Sequence, residues 1–540
     1  MLNNPVGDAS RKVSGPFSLD SWLGRLARRK TWSVFAVGFG TLFIRIALIP
    51  VLGIPQPGSH DEFSYLLAAD TFAHGHLTNP THPMWVHFET FHVIQQPTYS
   101  SIYPPAQGLV LAAGQLLGHP WIGEWLVTGL MCAVFCWMLQ GWVPARWALY
   151  GSMIAFLRLG VFSYWMNAYW SSSIVAVGGA LVLGAWPRIK RHQRVRDAIW
   201  IAVGLAILAN SRPYEGLVLA APIGTALLAW MTGPLNPGLR ITVKRIILPL
   251  SIVLLVAAVG TGYFYYRVTG SPTRMIYQVD SQTYNPVPYF LWQGPRPVPV
   301  YHHPVMQKFY EDDLERYFEH RTIAGFLAYT FNRSFVLWSF FLRSVTSIPF
   351  IVLPWVWRDR RMRLLLIASG IFFVALMMET WGLPHYAAPA AGILFVILTQ
   401  SCRRLSLWHW RKWRAGRILV QAVLIILLGA TCVRIIGIAV HKPSEGKWPR
   451  GNIDRAAIVH HLENTPGKHL VLVNYSSDHN VDSDWVYNGS NIDASPIVWA
   501  RDMGEQANRE LLSYFHDREV WTILVNDLPN PPLVRYPAKP

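Results

Sequence analysis

Acidic residues are scarce in this chain. Thirty Asp and Glu stand against 47 Lys and Arg in 540 residues, and charged residues together make up only 14%. Soluble globular proteins carry about a quarter charged residues, so a soluble fold is excluded for the bulk of the chain. Cysteine is nearly absent. The four present, Cys132, Cys136, Cys402 and Cys432, lie in or beside apolar segments, none placed to staple an exported loop, which excludes a disulfide framework. A signal-peptide pattern is also lacking: after the polar, basic residues 1–31 the apolar run is too long for a signal core, so an uncleaved first span is expected. No internal repeat is present, which weighs against an inverted-repeat transporter. The sharpest absence is local. Positions 46–145 contain neither Lys nor Arg, in a chain of formal charge +17.

What is present suits a bilayer. Hydrophobic residues make up 52% of the chain, mean hydropathy is +0.25, and 25 Trp match the preference of indole for membrane interfaces. About 11 segments approach the roughly 20 apolar residues a spanning helix needs: 32–53, 121–142, 146–164, 171–187, 198–211, 215–232, 245–264, 334–357, 363–379, 386–401 and 417–440. Two short ones meet at Ser211-Arg212-Pro213-Tyr214, where Pro213 suits a helix start. With the N-terminus in the cytoplasm, the inside segments 1–31, 188–197, 233–244, 358–362 and 402–416 carry clusters such as Arg188, Lys190 and Arg191, while the first outside loop carries none. That asymmetry sets the orientation. The basic charge reads as orientation signal and contact with anionic lipid, and nucleic acid is not an expected partner.

The expected fold class is an all-α polytopic membrane protein with a small C-terminal extracytoplasmic α/β domain. Residues 1–31 form a cytoplasmic basic N-terminus, 32–440 the transmembrane domain with large outside loops 54–120 and 265–333, and 441–540 the α/β domain. In the first loop, Phe63, Leu66, Leu67 and Phe72 recur at helical period after Asp61, which predicts a helix lying along the membrane surface, with Asp70 solvated. The last domain is expected to hold helices near 453–464 and 505–515 and strands at His469–Tyr475, Trp485–Tyr487, Ile497–Ala500 and Val520–Val525. Its Asp478, His479, Asp482, Asp484 and Asp493 fit a binding surface or a lid over an acceptor site.

One span followed by an outside loop opening on Asp61-Glu62, then Tyr103-Pro104-Pro105 before the second span, resembles the GT-C superfamily of membrane glycosyltransferases. The branch it is most similar to is that of protein O-mannosyltransferases and aminoarabinose transferases, over roughly residues 30–400. Ser211-Arg212-Pro213-Tyr214-Glu215-Gly216 and His385-Tyr386 with Pro389 share that likeness. The resemblance implies a sugar donor on a polyprenyl phosphate, an acceptor hydroxyl outside the cytoplasm, a bacterial inner membrane location, and a first-loop acid, best matched by Asp61, as base or substrate ligand. The acceptor (glycolipid, polysaccharide or protein) and the sugar are not legible.

The residues support that chemistry without the name. Inverting transfer at a sugar carbon needs one general base, and a carboxylate suffices because the hydroxyl proton leaves late. A retaining route needs a second carboxylate as nucleophile, a role open to Glu62. The departing lipid phosphate needs positive charge and hydrogen-bond donors. Candidates are Arg45, near the outer end of the first span, Arg212 in the outer break, and His385 with Tyr386. Tyr65, His74, Tyr103, Tyr214 and Glu215 complete the expected substrate pocket. Bland alternatives stand beside each: Arg45 pairing or snorkelling, Arg212 pairing with Glu215 one turn on, Asp61 capping its helix, Glu62 favouring the helix dipole. No cofactor is required by the pattern. A divalent metal at loop histidines such as His74 and His76 with Asp61 and Glu62 remains open, though no spacing matches a ligand motif. Two competing functions remain: a glycolipid transporter or flippase with a basic outer cavity, and a scaffold presenting the α/β domain. Transporters place ionisable groups at broken helices near the bilayer midplane, whereas the acids here cluster in the outer loop.

Overall fold

The computed structural model describes residues 19–234, 236–442, 447–477, 479–526 and 528–536; the first 18 residues and Asp478 lie outside the described residues. In lipid a backbone has no water to bond and must satisfy its own N–H and C=O groups, so the apolar segments fold as helices. Among the described residues, six helices are long and apolar enough to cross a membrane: Pro120–Trp142, Ser172–His192, Pro213–Thr232, Leu239–Thr269, Pro384–Leu405 and Ala415–Ala439. Ile323–Phe341 and Arg343–Trp357, bent by 93°, make a seventh if they form one broken span. The 11 expected from hydropathy also include Lys30–Ala47, Ala145–Ala155, Val195–Ala209 and Arg360–Met377, which are helical but fall short of that test.

Ser172–His192 is the centre of the bundle, 94% of its apolar window buried. A Cβ on Gly179 would lie 1.9 Å from the Pro389 carbonyl oxygen, so only glycine lets the 3₁₀ segment Pro384–Ala390 approach this helix. That contact holds His385 and Tyr386 at the end of the bundle core.

The 54–120 loop folds onto the same end. Its helix His60–Ala73 is followed by a two-stranded antiparallel ribbon, Val93–Ile94 with Ser100–Ser101, and by the helix Pro105–Leu116. The helix is present as expected but does not lie on a lipid surface. Tyr65 and Ala69 pack against Tyr103, Trp121 and Tyr169, while Phe63 and Leu67 pack against Leu470, Tyr487 and Leu511 of the C-terminal domain. Both sides are buried, so the apolar stripe serves two protein surfaces. Asp70, expected to be solvated, instead accepts from the Ser490 backbone N–H at 2.7 Å and the Gln115 amide at 2.7 Å.

The C-terminal domain is α/β as expected. Strands run in the order Ile497–Arg501, His469–Tyr475, Glu519–Val525, Leu533–Arg535; the first three are parallel and the last antiparallel. Parallel strands need covered faces, and helices Ile453–Glu463 and Glu505–Tyr514 contribute Leu462 and Leu511 to the two sides. Trp485–Tyr487 is buried irregular backbone, not a strand, and Leu533–Arg535 is an edge strand the alternation did not reveal.

Candidate functional site

The two acids that open the first loop have opposite fates, and the helix cap decides which. Ser59 is the N-cap, so Glu62 falls at the third helical position and closes a capping box. Glu62 Oε2 accepts from the Gly58 and Ser59 backbone N–H at 2.9 and 3.1 Å, and Oε1 accepts from Tyr169 N–H at 2.9 Å. Glu62 is a structural knot, and the nucleophile role open to it in the sequence does not fit. Asp61, one residue earlier, is free of the cap. The Tyr103 hydroxyl donates to its Oδ1, His92 Nδ1 lies 3.2 Å from the same oxygen, and His60 Nε2 lies 3.3 Å from Oδ2. Tyr103 is delivered by the turn before Pro105 starts its helix, and its ring stacks on Tyr65 at 4.2 Å. Burial pushes the Asp61 carboxyl up, but the imidazoles of His92 and His60 outweigh it and hold the acid well below the usual carboxylate range. For His92, burial is likewise outweighed, by Asp61, and its imidazole is raised; His60 is lowered, chiefly by burial.

A basic group lies at the bundle end nearby. Arg212 pairs with Glu215 at 3.2 Å and stacks on the Tyr386 ring at 4.1 Å. Burial opposes its charge, but Glu215 outweighs burial, so Arg212 stays cationic. Arg333, 3.8 Å from Glu379, lies over the same ring at 5.8 Å. His385 meets the Tyr164 hydroxyl through Nδ1 at 3.2 Å and lies on Trp170 at 4.3 Å. Arg212 Nε, Arg333 Nη2 and His385 Nε2 are buried without a hydrogen-bond partner. Two guanidinium groups and an imidazole nitrogen gather there, with Arg333 Nη2 already 3.8 Å from Glu379, and form a candidate anion site. Tyr65, acted on by both Arg212 and Asp61, stands between the two groups, and Tyr277 continues the wall 6.1 Å from the Tyr103 ring.

Several expected site residues are elsewhere. Arg45 is fully buried, with Nε donating to Asn167 at 3.0 Å, Nη2 to the Gly53 carbonyl at 2.7 Å, and its plane over Trp121 at 4.6 Å. It ties the first apolar helix to the next loop through two of its nitrogens, while Nη1 is buried without a hydrogen-bond partner. His74 ends its helix about 20 Å from Asp61; it is exposed and bonded to the Asp70 carbonyl, outside any pocket. Tyr214 turns its hydroxyl to Ala375 and its ring to Phe290 at the edge of the basic group. Glu215 is in place, as the partner of Arg212. Among the described residues, His60, Asp61 and His92 could hold a metal, their ligand atoms lying within 4.8 Å of one another. Sequence reasoning also missed Arg333 and Glu379. Arg333 directly precedes an apolar segment, so its charge read as the edge of a span.

No protein-family model and no curated protein matches the chain. Solved structures do. ArnT from Cupriavidus metallidurans in the apo state superposes with TM-score 0.52 at 14% identity, covering 91% of this chain and 93% of that one. The same protein bound to undecaprenyl phosphate gives 0.53 at 12%, covering 94% and 93%. The fold is the one these two ArnT structures share. The archaeal oligosaccharyltransferase AglB from Archaeoglobus fulgidus, in complex with an inhibitory peptide and a dolichol-phosphate, is similar at TM-score 0.44 and 11% identity, covering 94% and 69%.

Proposed function

We propose that this chain is a membrane glycosyltransferase that moves a sugar from a polyprenyl-phosphate donor to an acceptor hydroxyl on the extracytoplasmic side, with inversion at the sugar carbon. The observation that carries this reading is the pairing of an ionised acid, Asp61, with two guanidinium groups, Arg212 and Arg333, beside the His385 imidazole, joined by a tyrosine wall. The solved neighbour ArnT holds undecaprenyl phosphate, which is consistent with an anion site of this kind.

In the reaction, the acceptor oxygen attacks the anomeric carbon while its proton passes to Asp61. The carbon–oxygen bond to phosphate breaks and its electron pair stays on the phosphate. The phosphate leaves as an anion and needs no proton, so the donors on Arg212, Arg333 and His385 are what its growing charge meets. Tyr103 and His92 keep the Asp61 oxygens aimed and limit the cost of its burial. Glu62 has both oxygens on backbone amides, which favours the single-displacement route over one through a covalent intermediate.

The test is purified enzyme in detergent incubated with radiolabelled undecaprenyl-phosphate mannose, glucose, arabinose and aminoarabinose, with membrane extract as acceptor. At least one donor is consumed by wild type and none by Asp61→Asn. Consumption of no donor, or equal consumption by the variant, overturns the proposal.

A further inference from the structure

The helix Ile276–Thr283, in the second outside loop, places a carboxylate on the wall between the two halves of the site. Its Tyr277 lies beside Tyr103 at 6.1 Å and Tyr289 at 5.9 Å, under the electrostatic influence of Arg212. Asp280, one helical turn on, is 1% exposed, and its Oδ1 has no hydrogen-bond partner. The charged groups acting on it are His92, on the Asp61 side, and Arg296. Tyr310, whose hydroxyl is also buried and unpartnered, is acted on by Asp280 as well. Buried polar atoms normally find partners, and two unpaired ones in a single neighbourhood, one from a carboxylate, mark a place built for a ligand.

The chemistry of that place is specific. Aromatic faces with a buried carboxylate match a sugar ring, whose C–H face packs on tyrosine and whose hydroxyls donate to carboxylate oxygens. A sugar attached to a phosphate held at Arg212 would extend from Tyr386 toward Asp61, past Tyr277, whose ring lies 6.1 Å from Tyr103 and whose helix carries Asp280 one turn on. We infer that Asp280 binds the hydroxyls of the donor's sugar through Oδ1 and selects which sugar is transferred. This rests on the glycosyl-transfer reading above and adds the subsite that reads the sugar.

The experiment uses the undecaprenyl-phosphate sugar that wild type consumes fastest, and synthetic donors lacking one ring hydroxyl each. Asp280→Asn keeps shape and removes charge, and a hydrogen bond to a charged group is worth about ten- to a hundredfold in affinity. The donor KM rises by about that factor with kcat changed far less, the acceptor KM is unchanged, and discrimination against one deoxy donor is lost in the variant. Asp280→Ala behaves the same way, with its fold checked by the melting temperature in detergent. An unchanged donor KM, a rise in the acceptor KM instead, or full retention of deoxy discrimination overturns the inference. If wild type consumes no donor at all, it is the glycosyltransferase reading that fails, a result distinguishable from an active wild type indifferent to Asp280.

Discussion

Arg501 Nε donates to the backbone carbonyl of Glu89 at 2.6 Å, a bond between the C-terminal sheet and the 54–120 loop across 412 positions of sequence. The same guanidinium reaches Asp484 through Nη2 at 2.5 Å, and Asp484 accepts from Thr90 at 2.7 Å. Both charges are nearly fully buried. A buried pair adds little net stability, but removing one partner strands the other in low dielectric, at a cost of about 3–5 kcal/mol. Arg501→Ala is therefore expected to lower the melting temperature in detergent sharply and to loosen the loop that carries His92. Asp484→Asn, which keeps a polar atom toward Thr90, costs less. Melting curves followed by tryptophan fluorescence check the order of the two variants.

The acid cluster gives a graded prediction. Asp61→Asn removes the base and is expected to lower kcat by about 10²–10⁴-fold. Tyr103→Phe deletes one hydrogen bond to Oδ1 but leaves His92, so its loss in kcat is smaller, while Glu62→Gln acts on stability first. Rates measured at saturating donor, alongside melting temperatures, separate the three. A Tyr103→Phe enzyme as slow as Asp61→Asn would mean that Tyr103 contacts the reacting atoms itself.

At the basic group, Arg212→Lys is expected to behave almost like Arg212→Gln. A lysine ammonium keeps the charge but not the planar stack on Tyr386 or the forked donors. Arg333→Gln removes the second guanidinium over the same ring and leaves Glu379 buried beside fewer cations. Each change raises the donor KM, and binding of undecaprenyl phosphate to the detergent-solubilised enzyme weakens in parallel. Intact binding in both variants would move the phosphate elsewhere.

How much of this was legible in the sequence follows from the range of each interaction. Hydropathy and turn chemistry are local, so the strand His469–Tyr475, the helix after Pro213 and the helix opening at Asp61-Glu62 are visible in the string. Asp61 stands out in the sequence because it opens a loop without Lys or Arg, with helix capping as the alternative. What assigns it a role is long-range: His92 is 31 positions away and Tyr103 is 42, and no spacing rule connects them. The partners of Arg45 were illegible for the same reason: a charge inside an apolar segment signals a partner, but only the fold shows Asn167 and the Gly53 carbonyl as two of them. Glu62 and Asp61 differ by one position, and the location of the cap at Ser59 settles which of them is spent.

Two buried acids give opposite pH signatures. Asp484 is pushed up by burial but pulled down further by Arg501, ending below its ordinary value. A depressed carboxyl contributes stability above its unfolded pKa of about 3.9, and that stability is lost as pH falls through the folded value. Asp280 is raised to about 6 by burial, from 3.8. A raised carboxyl takes up a proton more readily in the folded state, so its contribution is present below its unfolded value and is lost as pH rises from there to about 6; the difference corresponds to at most about 3 kcal/mol. Asp313 shifts in the same direction, also through burial. Between pH 4.5 and 6.5 the Asp484 effect is already saturated and the Asp280 effect is not, so Asp280 contributes a fall in melting temperature with rising pH, opposed by the lowered imidazoles of His60, His87 and His303. Asp280→Asn, which cannot ionise, is expected to flatten the fall and to melt higher than wild type at pH 7. If the variant keeps the wild-type slope, Asp280 is solvated in the folded protein, and the buried wall between Tyr277 and His92 is open to water.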